Sequence, residues 1–255
     1  MLDHAFVVLG YKLSPFLAGC LDTLVAQTTP SRIVISTSTP NELIAQQAER
    51  VGAKVLINPK SDGIGADWNF GLRATGARYV TLVHQDDTYR PGFLQKSIEL
   101  LRRHDGDLCF TGYQEIDDEG RPTSSKISKV KHLIEAATLT PVRQPSAARM
   151  RAFLAFGAPL PCSSVTYDVS RLDDFEFSRD YAANLDWDAW LRLIDMGKRF
   201  VRHPARLVGR RHNALTATSQ LIANGCRRRE DLDLFRRIWP RPIGDTIALL
   251  YRAGY

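Results

Sequence analysis

The chain has 255 residues, 44% of them hydrophobic, and a formal net charge of +6. It can bury a core as one large domain or two small ones, and its positive charge favours anionic partners: phosphorylated substrates, an acidic membrane surface or nucleic acid. Its four cysteines are widely spaced and include no CxxC pair, which argues against zinc fingers and disulfide scaffolds and is typical of a reducing cytoplasm. The start of the chain lacks a signal-peptide pattern and no apolar run reaches about 18 residues, so we expect no membrane span.

The first 104 residues alternate between strand and helix patterns. Apolar runs predict strands at Ala5–Leu9, Arg32–Ser36, Lys54–Ile57 and Tyr79–Val83. Helices are predicted from Ser14–Pro15 to about Gln27, at Asn41–Val51, at Ala66–Thr75 and from Pro91 to about His104. This alternation predicts a parallel sheet with right-handed crossovers, which is a Rossmann-like layer.

A glycine-containing loop precedes the third predicted helix. Gly63 and Gly65 can let the backbone approach a ligand closely, and the helix amides that follow can face an anion. The loop is not a dinucleotide fingerprint, because no GxGxxG follows the first strand. An ordinary tight turn is the alternative, and Asp67 and Asn69 can equally cap the helix.

The fourth predicted strand ends abruptly at His84, Gln85, Asp86 and Asp87. Two carboxylates at the carboxyl edge of a sheet lie where open α/β sheets bind ligands. Paired acidic oxygens suit a hard cation such as Mg²⁺ or Mn²⁺. A solvated turn is the alternative, because Asp is common where strands end.

Beyond residue 105 the alternation stops. Strands are predicted at Asp107–Tyr113 and Leu160–Tyr167, with a hairpin turn at Ile116–Pro122, and the chain past residue 216 is predicted to be helical. Residues 123–150 are expected to be poor core material and a mobile region around an acceptor site. A solvated face, rather than a specific site, is expected for the basic residues Lys129, Lys131, His132, Arg143, Arg149 and Arg151.

A second acidic pair opens the predicted helix Asn184–Met196. Asp186 and Asp188 lie in its first turn, where carboxylates are favoured by the helix dipole. One of them can also act as a general base beside a bound substrate. The two roles are compatible.

These pieces together resemble the GT-A glycosyltransferases of family 2 over about residues 5–215. GYKLSPFLAGCLDTLVAQT resembles the family's Tyr-Asn turn and helix, GIGADWNFGLRAT its Gly-rich segment, LDWDAWLRL its catalytic helix and VGRRHNALTAT its Arg-x-His motif. The resemblance implies an α/β, Rossmann-like GT-A fold with a mixed, mainly parallel sheet flanked by helices, plus C-terminal helices. It implies a nucleotide-sugar-binding half (1–110), an acceptor-binding half of the same domain (111–215) and a helical extension (216–255).

The implied reaction is inverting transfer of a sugar from a nucleotide-diphosphate sugar to a hydroxyl of a carbohydrate or lipid-linked acceptor, in bacterial cell-surface polysaccharide or glycoconjugate synthesis. Asp186 is expected to take the acceptor's proton, and Asp87 with His212 to bind Mg²⁺ or Mn²⁺. The residues expected to bind the nucleotide sugar are Leu9, Tyr11, Ser36, Ser38, Gly65, Asn69, Gln85, Asp86 and Arg210. Trp187 and Trp190 are candidates for stacking on sugar faces, although helical spacing favours a core position for Trp190.

The sequence departs from the family pattern at three places. His84 stands where the acidic motif usually has an Asp, and Ser36–Thr39 replace the acidic residue that often contacts the nucleobase. Leu185 stands where the catalytic helix usually has a Glu before its Asp. The base and the sugar are therefore left undetermined.

Further partners are predicted from the C-terminal region. It contains a basic cluster of five arginines, Arg227, Arg228, Arg229, Arg236 and Arg237. Such a cluster suits an anionic membrane surface, so we expect a cytoplasmic protein with peripheral contact to the inner face of a membrane. The alternative is a helix face paired with Glu230, Asp231 and Asp233, and the apolar IALLY segment can make a homo-oligomer contact. A sugar-phosphate nucleotidyltransferase and a non-catalytic nucleotide- or anion-binding protein remain alternative functions. No nucleic-acid partner is expected, because no HTH, RRM or zinc module is recognisable.

Overall fold

A computed structural model describes residues 3–60, 62–211 and 225–252 of the chain. In this part of the chain, eight strands form one sheet, with nine α-helices around it. The strands are β1 His4–Gly10, β2 Arg32–Thr37, β3 Lys54–Ile57, β4 Tyr79–His84, β5 Thr88–Tyr89, β6 Leu108–Ile116, β7 Val165–Asp168 and β8 Phe200–Arg211. The helices are α1 Leu17–Val25, α2 Glu42–Val51, α3 Ile64–Arg73, α4 Phe93–Arg103, α5 Lys126–Leu139, α6 Ala147–Leu154, α7 Leu185–Asp195, α8 Cys226–Ile238 and α9 Arg241–Arg252.

The sheet has the strand order β3-β2-β1-β4-β7-β6-β8-β5. Strands β3, β2, β1 and β4 are parallel, β7 is antiparallel to both β4 and β6, and β8 is parallel to β6. The predicted mixed, mainly parallel sheet is therefore confirmed. Because β7 reverses direction between β4 and β6, the carboxyl ends of β4, β6 and β8 all lie at the same edge of the sheet.

Alternate residues of the central strands face opposite sides of the sheet. In β1, Ala5 and Val7 belong to the larger core cluster, which α6, α7 and α8 cover. Phe6 and Val8 belong to the second cluster, which α1, α2 and α4 cover. A strand that is buried on both faces explains the continuous apolar run in the sequence.

Capping residues define several helix ends. The Asn41 side chain accepts a hydrogen bond from the Ile44 backbone N–H at 3.0 Å, and Gly52, with φ of 65°, ends the same helix in the left-handed conformation. Helix α3 begins at Ile64, two residues earlier than predicted, because Gly63 occupies the N-cap position. The hairpin turn predicted after β6 is confirmed by an antiparallel bridge between Ile116 and Pro122.

The prediction that residues 123–150 are poor core material is wrong at two positions. This region contributes α5 and the first half of α6, and Leu139 and Met150 are at most 1% exposed. Val130 and Leu133 of α5, by contrast, are 56% and 70% exposed. The strand predicted at Leu160–Tyr167 is in fact a 3₁₀ turn at Cys162–Ser164 followed by β7.

Helix α9 leaves two leucines, Leu249 and Leu250, more than 60% exposed. A homo-oligomer contact through this helix stays a prediction. Among residues 3–60, 62–211 and 225–252, none of the helices combines the length and the apolar character that a membrane span requires.

Candidate active site

An arginine at the end of β8 holds the acidic turn that follows β4. The Arg211 backbone N–H donates to Asp87 Oδ1 at 3.0 Å, and its Nε donates to the Asp86 carbonyl oxygen at 3.0 Å. Its guanidinium also donates to the Asp117 carbonyl oxygen and lies 4.3 Å from the centroid of the Phe16 ring. Arg211 therefore fixes the backbone of the turn. The sequence analysis did not predict a role for Arg211, because the Arg-x-His motif consists of its neighbours Arg210 and His212.

The side chains of this turn are held in a water-poor environment. Burial raises the pKa of Asp87, against lowering contributions from the Ser163 hydroxyl and other groups, and burial together with the adjacent carboxylate raises the pKa of Asp86 to about 6. Burial lowers the pKa of His84, whose ring packs 5.4 Å from that of Trp68. Within the described part of the chain, neither Asp87 Oδ2 nor His84 Nε2 has a hydrogen-bond partner of good geometry.

The side chains of this turn can be compared with those that a Mg²⁺ or Mn²⁺ ion requires. Among the residues that the structure describes, no group of three or more His, Cys, Asp or Glu side chains could hold a metal ion. Mg²⁺, however, is often bound by one or two carboxylates together with waters and substrate phosphates. Asp86 and Asp87, with one Asp87 oxygen lacking a partner, fit that kind of site. His212 lies outside the described residues, so its expected role stays a prediction, as does the metal.

The ends of β1 and β2 lie beside the acidic turn. Leu9 is in register with Ser36 on one side and with His84 on the other. The Gln85 side-chain amide holds the backbone of Tyr11, accepting its N–H at 3.1 Å and donating to its carbonyl at 2.8 Å. The Tyr11 ring is 50% exposed. The structure therefore brings these four predicted donor-site residues, Leu9, Tyr11, Ser36 and Gln85, to one edge of the sheet.

A carboxylate from α3 lies at the end of β2, where the sequence has no acidic residue. The Ser38 hydroxyl donates to Asp67 Oδ2 at 2.8 Å, and Asn58 Nδ2 donates to Asp67 Oδ1 at 2.7 Å. Asp67 accordingly does not cap its own helix, which was one of the two interpretations left open. Ser38 instead faces a fixed negative charge.

Two predicted donor contacts are used within the protein. The Asn69 side-chain amide donates to the Phe177 carbonyl at 2.9 Å and accepts the Phe177 N–H at 2.7 Å. A Cβ atom at Gly65 would overlap the Ser178 carbonyl oxygen. The close approach that Gly65 allows is therefore to residues 177–178, which precede α7. Roles of Asn69 and Gly65 toward a ligand stay predictions.

The two carboxylates of α7 have different environments. Asp188 is 1% exposed, and its oxygens are paired with Arg237 at 2.6 Å and Arg192 at 3.3 Å. Asp186 is partly exposed, and its Oδ1 accepts the Trp187 backbone N–H at 2.8 Å. Burial raises the pKa of Asp186. Asp186 is thus the more accessible carboxylate of the pair.

The expectation that the α7 tryptophans stack on sugar rings is wrong. Trp187 and Trp190 are both 0% exposed. Their indole N–H groups donate to the carbonyls of Leu154 and Leu160 at 3.1 and 2.9 Å, and Trp187 meets Phe235 edge-to-face. Both tryptophans therefore fix α7 against the core.

Helix α8 holds the backbone that leads into α7. The Glu230 carboxylate accepts the backbone N–H groups of Ala182, Ala183 and Asn184 at 2.9, 2.9 and 2.8 Å. Asn184 Nδ2 also donates to Asp231 Oδ1 at 2.9 Å. Sequence reasoning missed this role of Glu230, because it weighed the acidic residues of α8 only as partners for the arginines. No local signal identifies a contact between residues nearly fifty positions apart.

The C-terminal arginines do not form one continuous basic surface. Arg236 pairs with Asp245 at 2.6 Å, and Arg227 is only 8% exposed. Arg228, Arg229, Arg236 and Arg237 are exposed to solvent, and the last two are paired with Asp245 and Asp188. Contact with a membrane surface stays a prediction.

Two further cations lie near the candidate base. Arg210 is opposite Glu115 in the β6–β8 register, and it lowers the pKa values of the aspartates of the acidic turn and of Asp186 against the larger effect of burial. Lys131 of α5 also lies close to Asp186. Burial, followed by Arg210 and Arg227, lowers the pKa of Lys131 to about 7. Of the basic residues expected on a solvated face, Lys131 and His132 are only partly exposed, whereas Lys129, Arg143, Arg149 and Arg151 are exposed.

Solved structures and curated proteins show what this chain is similar to. Staphylococcus aureus TarS 1–349 in complex with UDP-GlcNAc matches with a TM-score of 0.64 and 14% identity, over 97% of this chain and 71% of that one. TarS 1–349 crystallised alone matches with a TM-score of 0.63 and 14% identity, over 96% and 69%. The GT-A fold of a glycosyltransferase is thereby confirmed.

The family follows from the sequence comparisons. The model of Glycosyl transferase family 2 matches residues 6–158, and the chain belongs to this family. The uncharacterized glycosyltransferase EpsJ of Bacillus subtilis is 24% identical over 122 residues, which are 46% of this chain and 36% of EpsJ. The uncharacterized glycosyltransferase RT0329 of Rickettsia typhi is 21% identical over 226 residues, 85% of this chain and 66% of that protein. The chain thus spans less than two thirds of the length of either relative.

Proposed function

We propose that the protein is an inverting glycosyltransferase that moves a sugar from a nucleotide-diphosphate sugar to an acceptor hydroxyl. One observation carries this proposal beyond family membership. A partly exposed carboxylate with a raised pKa, Asp186, lies close enough to His84, at the start of the acidic turn, to affect the pKa of its ring, and Arg210 is close to both carboxylate groups. The UDP-GlcNAc bound to TarS supports a uridine diphosphate sugar as the first donor to test.

The residues present can perform the steps of inverting transfer. Asp186 would accept the proton of the acceptor hydroxyl. The hydroxyl oxygen of the acceptor would attack the anomeric carbon on the face opposite the leaving nucleotide. A raised pKa makes this carboxylate a stronger base near neutral pH. Arg210 would stabilise the negative charge that develops on the departing diphosphate.

A divalent cation is part of the same proposal. Asp87, assisted by Asp86, would hold Mg²⁺ or Mn²⁺, which supplies positive charge that stabilises the leaving group. Support comes from the Asp87 oxygen that lacks a hydrogen-bond partner in the described part of the chain. The acceptor class, a carbohydrate or lipid-linked molecule of cell-surface polysaccharide or glycoconjugate synthesis, is proposed from the family resemblance.

The first experiment is calorimetric titration with UDP, GDP, dTDP and CDP, with and without Mn²⁺. We expect one nucleotide to bind at micromolar concentration in the presence of Mn²⁺, and Asp87→Ala to lose this binding. If none of the four binds under either condition, the donor proposal fails.

The base is tested separately in a sugar-transfer assay. Asp186→Asn should lower kcat at least 100-fold while leaving nucleotide affinity within twofold, because general-base catalysis contributes about 10²–10⁴. Asp118→Asn, in the exposed hairpin turn, is the matched control and should keep full activity. An Asp186→Asn enzyme as active as this control would refute the assignment.

A further inference from the structure

The outward face of α9 carries no charge. Five exposed residues lie within about 120° of one another around the helix axis; they are Pro242, Ile243, Thr246, Leu249 and Leu250. Leu249 and Leu250 are 65% and 69% exposed, and Ile243 is 47% exposed. A surface helix of a globular protein normally turns its apolar side inwards. A continuous apolar surface that faces outwards marks a contact with a membrane or another protein.

The packing of α9 on α8 fixes this orientation. A Cβ atom at Gly244 would lie 2.9 Å from the Phe235 carbonyl oxygen, so the two helices approach closely at this point. The Tyr251 ring also meets the Phe235 ring edge-to-face at 5.4 Å. Helix α9 therefore cannot turn its apolar face towards the core without losing both contacts.

An exposed aromatic residue extends this apolar surface. Phe156 is 47% exposed, and its ring lies 5.5 Å from that of Trp239, which closely precedes α9. The Trp239 indole N–H donates to the Ala155 carbonyl at 2.8 Å, and a Cβ atom at Gly157 would lie 2.7 Å from the Tyr251 hydroxyl. The segment that carries Phe156 therefore runs beside α9.

The charged side of the α8–α9 pair, which borders Leu249, has an excess of positive charge. The Arg236 guanidinium donates to the two Asp245 oxygens at 2.6 and 3.1 Å, which joins the charged sides of the two helices. Residues three, four or seven apart share a side of a helix. By this spacing the joined side carries four arginines and two aspartates: Arg229, Arg236, Arg241, Arg252, Asp233 and Asp245. This excess complements an anionic surface.

The size of the face favours a membrane over a second copy of the chain. Helix α9 has 12 residues and is therefore about 18 Å long. One face of such a helix is too small for a stable protein interface, which buries roughly 800 Å² on each partner. A symmetric contact would also bring two cationic surfaces close together, which is unfavourable. An anionic lipid surface accepts both parts, because apolar side chains enter the acyl boundary while arginines meet the headgroups.

We propose that the outward face of α9, together with Phe156, docks the protein on an anionic membrane surface. Ile243, Leu249 and Leu250 enter the boundary between headgroups and acyl chains, and the arginines beside them contact the lipid phosphates. This contact goes beyond the proposed transfer reaction and does not rest on it. Within that reaction it favours the lipid-linked class of acceptor, because such an acceptor lies in the same surface.

The test is co-sedimentation of the full chain, without nucleotide, with two kinds of lipid vesicle. One is phosphatidylcholine alone, and in the other about one lipid in three is phosphatidylglycerol, which supplies the negative surface potential. We expect binding to the anionic vesicles that is at least tenfold tighter than to the neutral ones. This binding should weaken when the ionic strength is raised, because salt screens the attraction between the arginines and the lipid phosphates.

Two double variants separate the apolar and the charged contributions. Leu249→Gln with Leu250→Gln should weaken binding to the anionic vesicles at least tenfold, since two apolar side chains no longer leave water. Arg241→Gln with Arg252→Gln should weaken it at least fivefold. Circular dichroism spectra confirm that the variants are folded, and the leucine variant decides the result if the arginine variant is not.

Matched controls lie on helices outside the proposed contact. Val130→Gln with Leu133→Gln changes two apolar side chains of α5 that are 56% and 70% exposed. Arg102→Gln with Arg103→Gln removes two exposed charges from α4. Both control variants should bind the anionic vesicles with an affinity within twofold of the unmodified protein.

Four results would overturn the membrane contact. They are no binding of the unmodified protein to the anionic vesicles, equal affinity for both kinds of vesicle, unchanged binding by the leucine variant, and an equal loss in its control. A protein that does not bind vesicles, but is a dimer that the leucine variant converts to a monomer, would assign the face to a second copy. Because no nucleotide is present, these outcomes are independent of the nucleotide titration that tests the transferase proposal.

Discussion

Replacing Glu230 with alanine tests how the candidate base is positioned. The Glu230 carboxylate accepts three backbone N–H groups at 2.8–2.9 Å just before α7. A hydrogen bond to a charged group contributes about 1.5–3 kcal/mol, but water can replace it at Ala182 and Ala183, which are partly exposed. The N–H of Asn184, a residue that is 0% exposed, cannot turn to water. We therefore expect Glu230→Ala to lower the free energy of unfolding by about 2–4 kcal/mol.

The same substitution should act on catalysis. Asn184 directly precedes α7, and Asp186 is the second residue of that helix. A loosened turn would displace the Asp186 carboxylate from the acceptor in the proposed reaction. The acidic turn, which we propose faces the donor, is held by other contacts, those of Arg211. We expect kcat to fall at least tenfold with donor affinity within twofold. The measurements are urea unfolding at pH 7, with a melting temperature lowered by roughly 5–12 °C, and kinetics at a temperature where the variant is folded.

Glu49→Ala supplies the comparison for this variant. Glu49 is an exposed glutamate of α2, and its removal should change stability by less than about 0.5 kcal/mol. Glu230→Gln keeps the shape of the side chain but points an N–H₂ group at backbone donors, so it should resemble the alanine variant. If Glu230→Ala is as stable and as active as Glu49→Ala, the three hydrogen bonds do not position the base, and the reasoning is wrong.

Three further variants test other parts of the structure. Burial, followed by Arg32, lowers the pKa of His4 to about 3. Since its pKa in the unfolded chain is about 6.5, only the unfolded chain binds a proton at His4 between these values, and the free energy of unfolding falls by about 1.4 kcal/mol per pH unit below about pH 6.5. His4→Gln should therefore make the free energy of unfolding in urea less dependent on pH between pH 6.5 and 5.5. Gly65→Ala should cost about 1–3 kcal/mol of unfolding free energy, because the new methyl group overlaps the Ser178 carbonyl; unchanged urea unfolding would mean that the 177–178 segment moves freely. Arg211→Met should weaken nucleotide binding at least tenfold in calorimetric titration, since its guanidinium no longer fixes the acidic turn, and wild-type affinity would show that the turn holds without it.

Sequence patterns predicted those parts of the fold whose cause is local. The buried run of β4 and the helical spacing of α7 depend on residues a few positions apart, and both elements lie where the patterns place them. Strand β8 was not predicted, because arginines and Pro204 interrupt its apolar alternation. Its nine residue pairs with β6, interrupted by two register shifts, are long-range contacts. No window of sequence contains that information.

In the candidate site, too, the sequence predicted local features and not long-range contacts. The sequence could place Asp186 and Asp188 together, but one of the two arginines that pair with Asp188, Arg237, lies forty-nine residues further on. Likewise, the presence of Gly65 predicts that another group lies close to its Cα. The sequence does not tell whether that group is a ligand or, as in the structure, the Ser178 carbonyl. Lys131 carries no motif at all. Its lowered pKa comes from burial and from arginines that are distant in the sequence.

The C-terminal helices matter to function because they complete the charges of α7. Arg237 neutralises the buried Asp188 carboxylate, which would otherwise be unpaired on one side. Phe235 covers Trp187, the residue that follows the candidate base. Pairing Asp188 while leaving Asp186 partly exposed produces two different carboxylates within the first turn of one helix. If Asp186 is the base, as proposed, the chemistry of the site depends on α8 as well as on the α7 motif, because Arg237 of α8 and Arg192 of α7 together pair the second carboxylate.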